Sequence, residues 1–86
     1  MSQSRAEILM LIVGILRRLN LLNDTDQIDE QTGLLGKGIG LDSVEILQVV
    51  VGIEEEFNLT IDEGELSPDY FRSVADLITF IEGKLS

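Results

Sequence analysis

The sequence predicts a small all-α bundle of four helices, three main ones and one short one. Three observations lead there. Apolar residues recur at helical spacing in three separate segments. Each segment is preceded by a residue type that caps helices. No hairpin signal or internal repeat interrupts them. A chain of 86 residues forms one domain, residues 1–86, with little room for a second. At 44% apolar it can build a core, so disorder is a poor reading despite a net charge of -10.

The first helix spans about 5–19. Ser4 with Glu7 three residues on is a capping box. Ile8, Ile12, Ile15 and Leu19 then form one apolar stripe, and Asn20 and Asn23 end it. Gly14 sits mid-helix at a cost of about 1 kcal/mol relative to Ala, a cost that close packing would explain. The nine apolar residues 8–16 fall short of the roughly 20 that a membrane span needs. Glu7 before that run and Arg17 and Arg18 after it also disfavour a signal peptide, so a cytoplasmic setting is expected.

A long linker follows. It has turn formers early (Asn23, Asp24, Thr25, Asp26) and four glycines late (Gly33, Gly36, Gly38, Gly40). Leu34, Leu35 and Ile39 are the residues available to pin it to a core. Two ligand readings fail here. Asp24-x-Asp26 opens like a calcium loop, but Ile28 and Asp29 stand where a ligand and a glycine are required. The glycines around Lys37 match neither phosphate-loop spacing.

The second helix spans about 43–57. Asp42 is its N-cap and Glu45 falls at N3, a second capping box. The β-branched run at 49–51 hints at a strand, but the caps and the longer 3.6-residue period outweigh it. Ile46, Val49, Val50, Ile53 and Phe57 share a core-facing stripe. Val44, Leu47 and Val51 lie on nearly the opposite side, among Gln48, Glu54 and Glu55. One helix of a small domain cannot readily bury both faces, so the second face is a candidate contact surface. Ser67-Pro68 opens a short helix at about 68–72, with Tyr70 and Phe71 as anchors. Ser73 and Asp76 open the last helix at about 74–85, striped by Val74, Leu77, Ile78, Ile81 and Leu85.

The charge is uneven. Residues 42–69 hold nine acids and neither Lys nor Arg, which accounts for almost all of the net charge. An acidic chain lacks the basic face that nucleic acid requires, and this stretch suits a basic partner. The chain has no Cys and no His. Thiolate metal sites, cysteine nucleophiles and the commonest general base are therefore absent, so a self-contained hydrolase is hard to build, and no catalytic or metal-binding residues are expected. Ser43 is the residue with chemical promise. It stands in the first helical turn after a long loop, where unpaired N–H groups and the helix dipole favour a phosphate ester.

Gly40-Leu41-Asp42-Ser43, the Glu54-Glu55-Glu56-Phe57 end of the same helix, and Ile61 before an acidic loop together resemble the acyl carrier protein family. That family's hallmark is Asp-Ser-Leu at the start of the second helix of a four-helix bundle, and the likeness covers nearly the whole chain. It departs at Val44, where Leu is usual, and at Gln48, where an acid is common. The resemblance implies that Ser43 carries 4′-phosphopantetheine, installed from coenzyme A by a phosphopantetheinyl transferase, with Asp42 supporting the motif. It implies a carrier of acyl thioesters that is the substrate of partner enzymes, not an enzyme. Those partners would be acyl-transferring and condensing enzymes of fatty-acid, polyketide or related lipid biosynthesis that present basic docking patches, and the carrier would be a monomer. Val44, Glu45, Gln48, Val51, Glu54 and Glu55 match the family's partner-recognition positions, and Leu47 shares their face. Val50, Ile53, Phe57, Ile61, Phe71, Ala75 and Ile78 are expected to line an acyl-chain pocket. Aminoacyl, D-alanyl or peptidyl cargo is the alternative within the same chemistry. An unmodified acidic interaction module is the alternative from another class.

Overall fold

A computed structural model describes residues 3–23 and 25–86. Among these the order is α1 (Arg5–Arg18), α2 (Ser43–Phe57), a 3-10 turn (Glu63–Glu65), a short 3-10 helix (Pro68–Phe71) and α3 (Val74–Leu85). The all-helical expectation holds, with three main helices and a short one near the expected bounds. The turn at Glu63–Glu65 is an addition. It is closed by the Glu65 carboxylate accepting the Asp62 N–H at 3.0 Å and is tied to α3 by Lys84 Nζ at 2.7 Å from Glu65. That long-range tie is invisible to local patterning.

The caps form largely as the sequence predicts. Ser4 and Glu7 make a reciprocal box on α1, and Asp42 and Glu45 make one on α2. On α3 only half of the box forms: Ser73 Oγ accepts from Asp76 N–H. Asp76, one methylene shorter than Glu, makes no return bond. Asn20 takes a left-handed φ of 60°, and Leu21 N–H reaches back to Leu16 O at 2.9 Å, which ends α1 one residue earlier than expected. Asn58 ends α2 in the same way, at φ 52°.

The core draws on the three long helices, the linker and the short helix. Ile8, Ile12, Ile15 and Leu16 of α1 are buried against Val49, Val50, Ile53 and Phe57 of α2 and against Val74, Leu77, Ile78 and Ile81 of α3. Leu19, Ile46 and Leu85 are only partly buried at the ends of their stripes. Helix α1 packs on both α2 and α3, and the short 3-10 helix packs on α3. The linker and the short helix add Leu34, Leu41 and Phe71 to the core. Gly14 plays no packing role: it is exposed, and nothing approaches the position of a Cβ there within 4 Å. The close approach is at Gly52, where a Cβ would stand 2.7 Å from Ile15 Cγ2.

Backbone pairing holds the linker. Gly33 and Ser73 form an isolated antiparallel bridge. Leu34 N–H donates to Arg72 O, Val74 N–H to Thr32 O and Ala75 N–H to Glu30 O, at 2.9–3.2 Å. The linker then folds on itself, with Ile39 N–H on Gly33 O at 2.8 Å and Leu41 N–H on Leu34 O at 2.9 Å. A Cβ on Gly38 would fall 2.0 Å from Gly33 O, so only glycine fits. Arg5 locks the other end. Its guanidinium donates to Glu30 and Glu82 at 2.7 and 2.6 Å, to Thr79 Oγ1 and to Ala75 O. Asp24, one of the early turn formers, lies outside the described residues.

Two predictions follow from these contacts. Gly14→Ala raises unfolding stability by about 1 kcal/mol, while Gly38→Ala lowers it by about 2 kcal/mol because backbone must move; urea titration reads both. Hydrogen bonding from Arg5 holds the Glu30 carboxyl below the usual carboxylate range. Its contribution is therefore complete above the unfolded value of about 4.3 and fades as pH falls through the lowered native value. The stability gap between the wild type and Arg5→Gln is thus widest near neutral pH and narrows in acid, as urea titrations across that range will read.

Candidate functional site

Ser43 is exposed and is the first residue of α2. Its position follows from the residues before it. Gly40 takes a φ of 78°, which turns the chain, and buried Leu41 plugs the core. Asp42 then caps the helix: its Oδ1 accepts Glu45 N–H at 2.8 Å, and Glu45 Oε1 accepts Asp42 N–H at 3.0 Å. The first helical bond runs from Ile46 N–H to Asp42 O. The Ser43 and Val44 N–H groups precede it and face outward at the positive end of the helix dipole. A phosphodiester on Ser43 Oγ fits this terminus electrostatically.

An apolar groove of about 380 Å³ opens beside Ser43. Leu35 and Leu41 of the linker, Ile46 of α2, and Leu66, Pro68 and Phe71 line it, with Ser43 and Ser67 as its hydroxyls. The residues expected to line an acyl pocket lie elsewhere. Val50, Ile53, Phe57, Ile61 and Ile78 are buried packing residues of the core, and Ala75 is half-buried. Of the expected set, the groove includes Phe71 alone. Leu35, Leu66 and Pro68 escaped sequence reasoning, because only tertiary packing brings linker and short helix together.

The second face of α2 is open. Val44, Leu47 and Val51 are 64%, 55% and 50% exposed, and the glycine-rich linker does not cover them. With Gln48 and with Leu19, just past the end of α1, they line a shallow hollow of about 360 Å³. Glu55 is exposed, and Glu45 is half-buried within its capping box. Glu54 is not a free surface charge: its Oε2 accepts Ile61 N–H at 2.8 Å, tying the end of α2 to the segment that follows.

The scaffold thus presents an exposed serine at a helix start beside an apolar groove. Residues 6–81 match the family described as phosphopantetheine attachment site, and the chain belongs to that family. The chain is 34% identical over 73 residues, 85% of its length and 76% of the relative's, to a Bradyrhizobium diazoefficiens protein named aminoacyl carrier protein 1. It is 30% identical over 82 residues, 95% of its length and 96% of the relative's, to a Thermotoga maritima protein named acyl carrier protein. Over 53 residues, 62% of this chain and 58% of the relative, it is 38% identical to the acyl carrier protein AsbD of Bacillus anthracis. The chain is thus a carrier with a covalent 4′-phosphopantetheine, served by a phosphopantetheinyl transferase and partner enzymes, and not itself an enzyme. No helix among the described residues is long and apolar enough to cross a membrane.

Glu54 and Glu55, neighbours near the end of α2, are expected to differ. Glu54→Gln weakens a charge-assisted bond to a backbone N–H and lowers stability by about 1 kcal/mol. Glu55→Gln leaves the thermal midpoint unchanged.

Proposed function

We propose that Ser43 bears the phosphopantetheine arm and that the arm delivers acyl groups, as thioesters, to cytoplasmic enzymes of fatty-acid, polyketide or related lipid biosynthesis. The observation that carries this reading is the exposed Ser43 hydroxyl at the start of α2, beside the apolar groove. Asp42 supports the modified residue by holding the helix terminus in shape. The arm supplies the thiol that a chain without cysteine lacks. The groove has no charged lining, which suits an apolar acyl chain lying along it. The core residues behind it, Val50, Ile53, Phe57, Ile61, Ala75 and Ile78, take up longer chains if the bundle loosens.

The exposed face formed by Val44, Leu47, Gln48 and Val51, edged by Glu45, Glu54 and Glu55, is the surface partners meet, with the carrier acting as a monomer. Apolar contact comes from its centre, and the acids speed encounter with basic patches. A second reading, aminoacyl cargo, is favoured by the Bradyrhizobium diazoefficiens relative. Intact-mass measurement after incubation with coenzyme A, magnesium and a phosphopantetheinyl transferase tests the attachment site. Wild-type protein gains one phosphopantetheine and Ser43→Ala gains none while keeping its melting temperature. A gain retained in Ser43→Ala moves the attachment elsewhere, with Ser67 across the groove the next position to examine. Mass spectrometry of holo-protein from its source separates acyl from aminoacyl cargo.

A further inference from the structure

The groove beside Ser43 holds few polar side chains. Of the residues that line it, only Ser43 and Ser67 carry a side-chain hydrogen-bond donor. Ser67 is half-buried and stands immediately before the short helix at Pro68–Phe71. Its Oγ accepts the Asp69 N–H at 3.2 Å, and its backbone O accepts the Tyr70 N–H at 3.0 Å. Pro68, which follows it, has no N–H to compete. Ser67 Oγ is therefore held in place as an acceptor, while its own proton meets no acceptor among the described residues. The N–H groups of Leu41, Ile46 and Leu66, also on the lining, are already committed to backbone oxygens. Once Ser43 Oγ is esterified it has no proton left to give. Ser67 is then the one side-chain donor of the groove.

We propose that Ser67 is a positioning residue for the phosphopantetheine arm: its hydroxyl donates to the arm's first amide carbonyl, that of the pantoyl group, and holds the proximal arm in the groove. The inference rests on the reading that Ser43 is the attachment site. The tether names the occupant, because a group attached to a residue of the lining starts inside the groove. Length selects the carbonyl. The pantoyl carbonyl carbon is six bonds from Ser43 Oγ, roughly 7 Å along an extended chain of bonds about 1.5 Å long. A compartment of about 380 Å³ is about 7 Å on a side if compact, so this carbonyl falls within it. The thiol, fourteen bonds out and roughly 18 Å away, falls beyond. The chemistry agrees. The carbon two bonds before that carbonyl carries two methyl groups, which suit the apolar lining of Leu35, Leu41, Ile46 and Phe71. A carbonyl drawn in with them loses water and needs a donor. The flexible part of the arm then begins at Ser67 rather than at Ser43, and a cargo chain reaches the rest of the apolar lining by folding back.

Carbon-13 NMR of the holo-protein tests this. Wild type, Ser67→Thr, Ser67→Ala and Ser67→Asp are loaded from coenzyme A labelled at both arm carbonyls, with the gain of one phosphopantetheine confirmed by intact mass and folding by thermal melting. Each native spectrum is compared with that of the same protein unfolded in urea. The expected result in wild type is a downfield displacement of the pantoyl carbonyl on folding and none of the second carbonyl. Ser67→Thr keeps the displacement and Ser67→Ala loses it. Ser67→Asp also loses it: the carboxylate still accepts the Asp69 N–H but has no proton to donate. That variant carries the comparison should loss of the cap unfold Ser67→Ala. Displacement retained in Ser67→Ala overturns the proposal. Retention in Ser67→Asp means that the cap matters and not the proton, and loss in Ser67→Thr means that shape matters and not the hydroxyl; either overturns it too. Wild-type carbonyls that do not move on folding, or movement of the second alone, overturn this inference and leave attachment at Ser43 standing. Wild-type protein that gains no mass, or Ser43→Ala that does, overturns both.

Discussion

Everything at the functional end of the molecule depends on one backbone contact, the approach of Gly38 to Gly33. No side chain fits there, and that closeness lets the linker double back and donate from Ile39 to Gly33 O. The same segment pairs with the residues that begin α3. A linker that would otherwise have a large conformational entropy thus becomes a fixed part of the bundle. Leu34 and Leu41 are driven into the core as a result, and Asp42 emerges where α2 must start. Arg5 braces this arrangement from the far side, joining the beginning of α1, the linker at Glu30 and the middle of α3.

The packing is correspondingly lopsided. Helix α1 touches both of the other long helices, and the short 3-10 helix lies against α3. The well-packed side gives the domain its stability, with Ile8, Ile12, Ile15 and Leu16 buried at its centre. The other side is built from linker and 3-10 elements, which carry fewer buried contacts and less regular hydrogen bonding. The groove beside Ser43 lies on that side. A carrier benefits from this division, because its reactive arm and cargo need space that a fully packed core does not leave.

Much of this was legible in the residues because the signals are local. Ser4 with Glu7 and Asp42 with Glu45 announce two helix starts through bonds that span three residues. The stripes of α1, α2 and α3 are equally local, as is the surplus of Val44, Leu47 and Val51 on an outer face. What escaped depends on neighbours distant in the chain. Gly14 and Gly52 look alike as mid-helix glycines, yet only Gly52 meets another helix. Glu54 and Glu55 look alike as recognition acids, yet only Glu54 is committed to a backbone N–H. The linker's four glycines announce a turn, but nothing in their spacing reveals which two must touch. The groove could not be drawn from periodicity, because its walls come from the irregular segments.

The bond from Ile61 to Glu54 limits how such a surface can diversify. A position that both edges an exposed face and closes a joint cannot change its charge without loosening the joint. Glu55, one residue along, carries no such obligation, and neither does Gln48. Drift in partner preference among descendants of this chain would therefore be channelled through those two positions, with Glu54 the slowest to move.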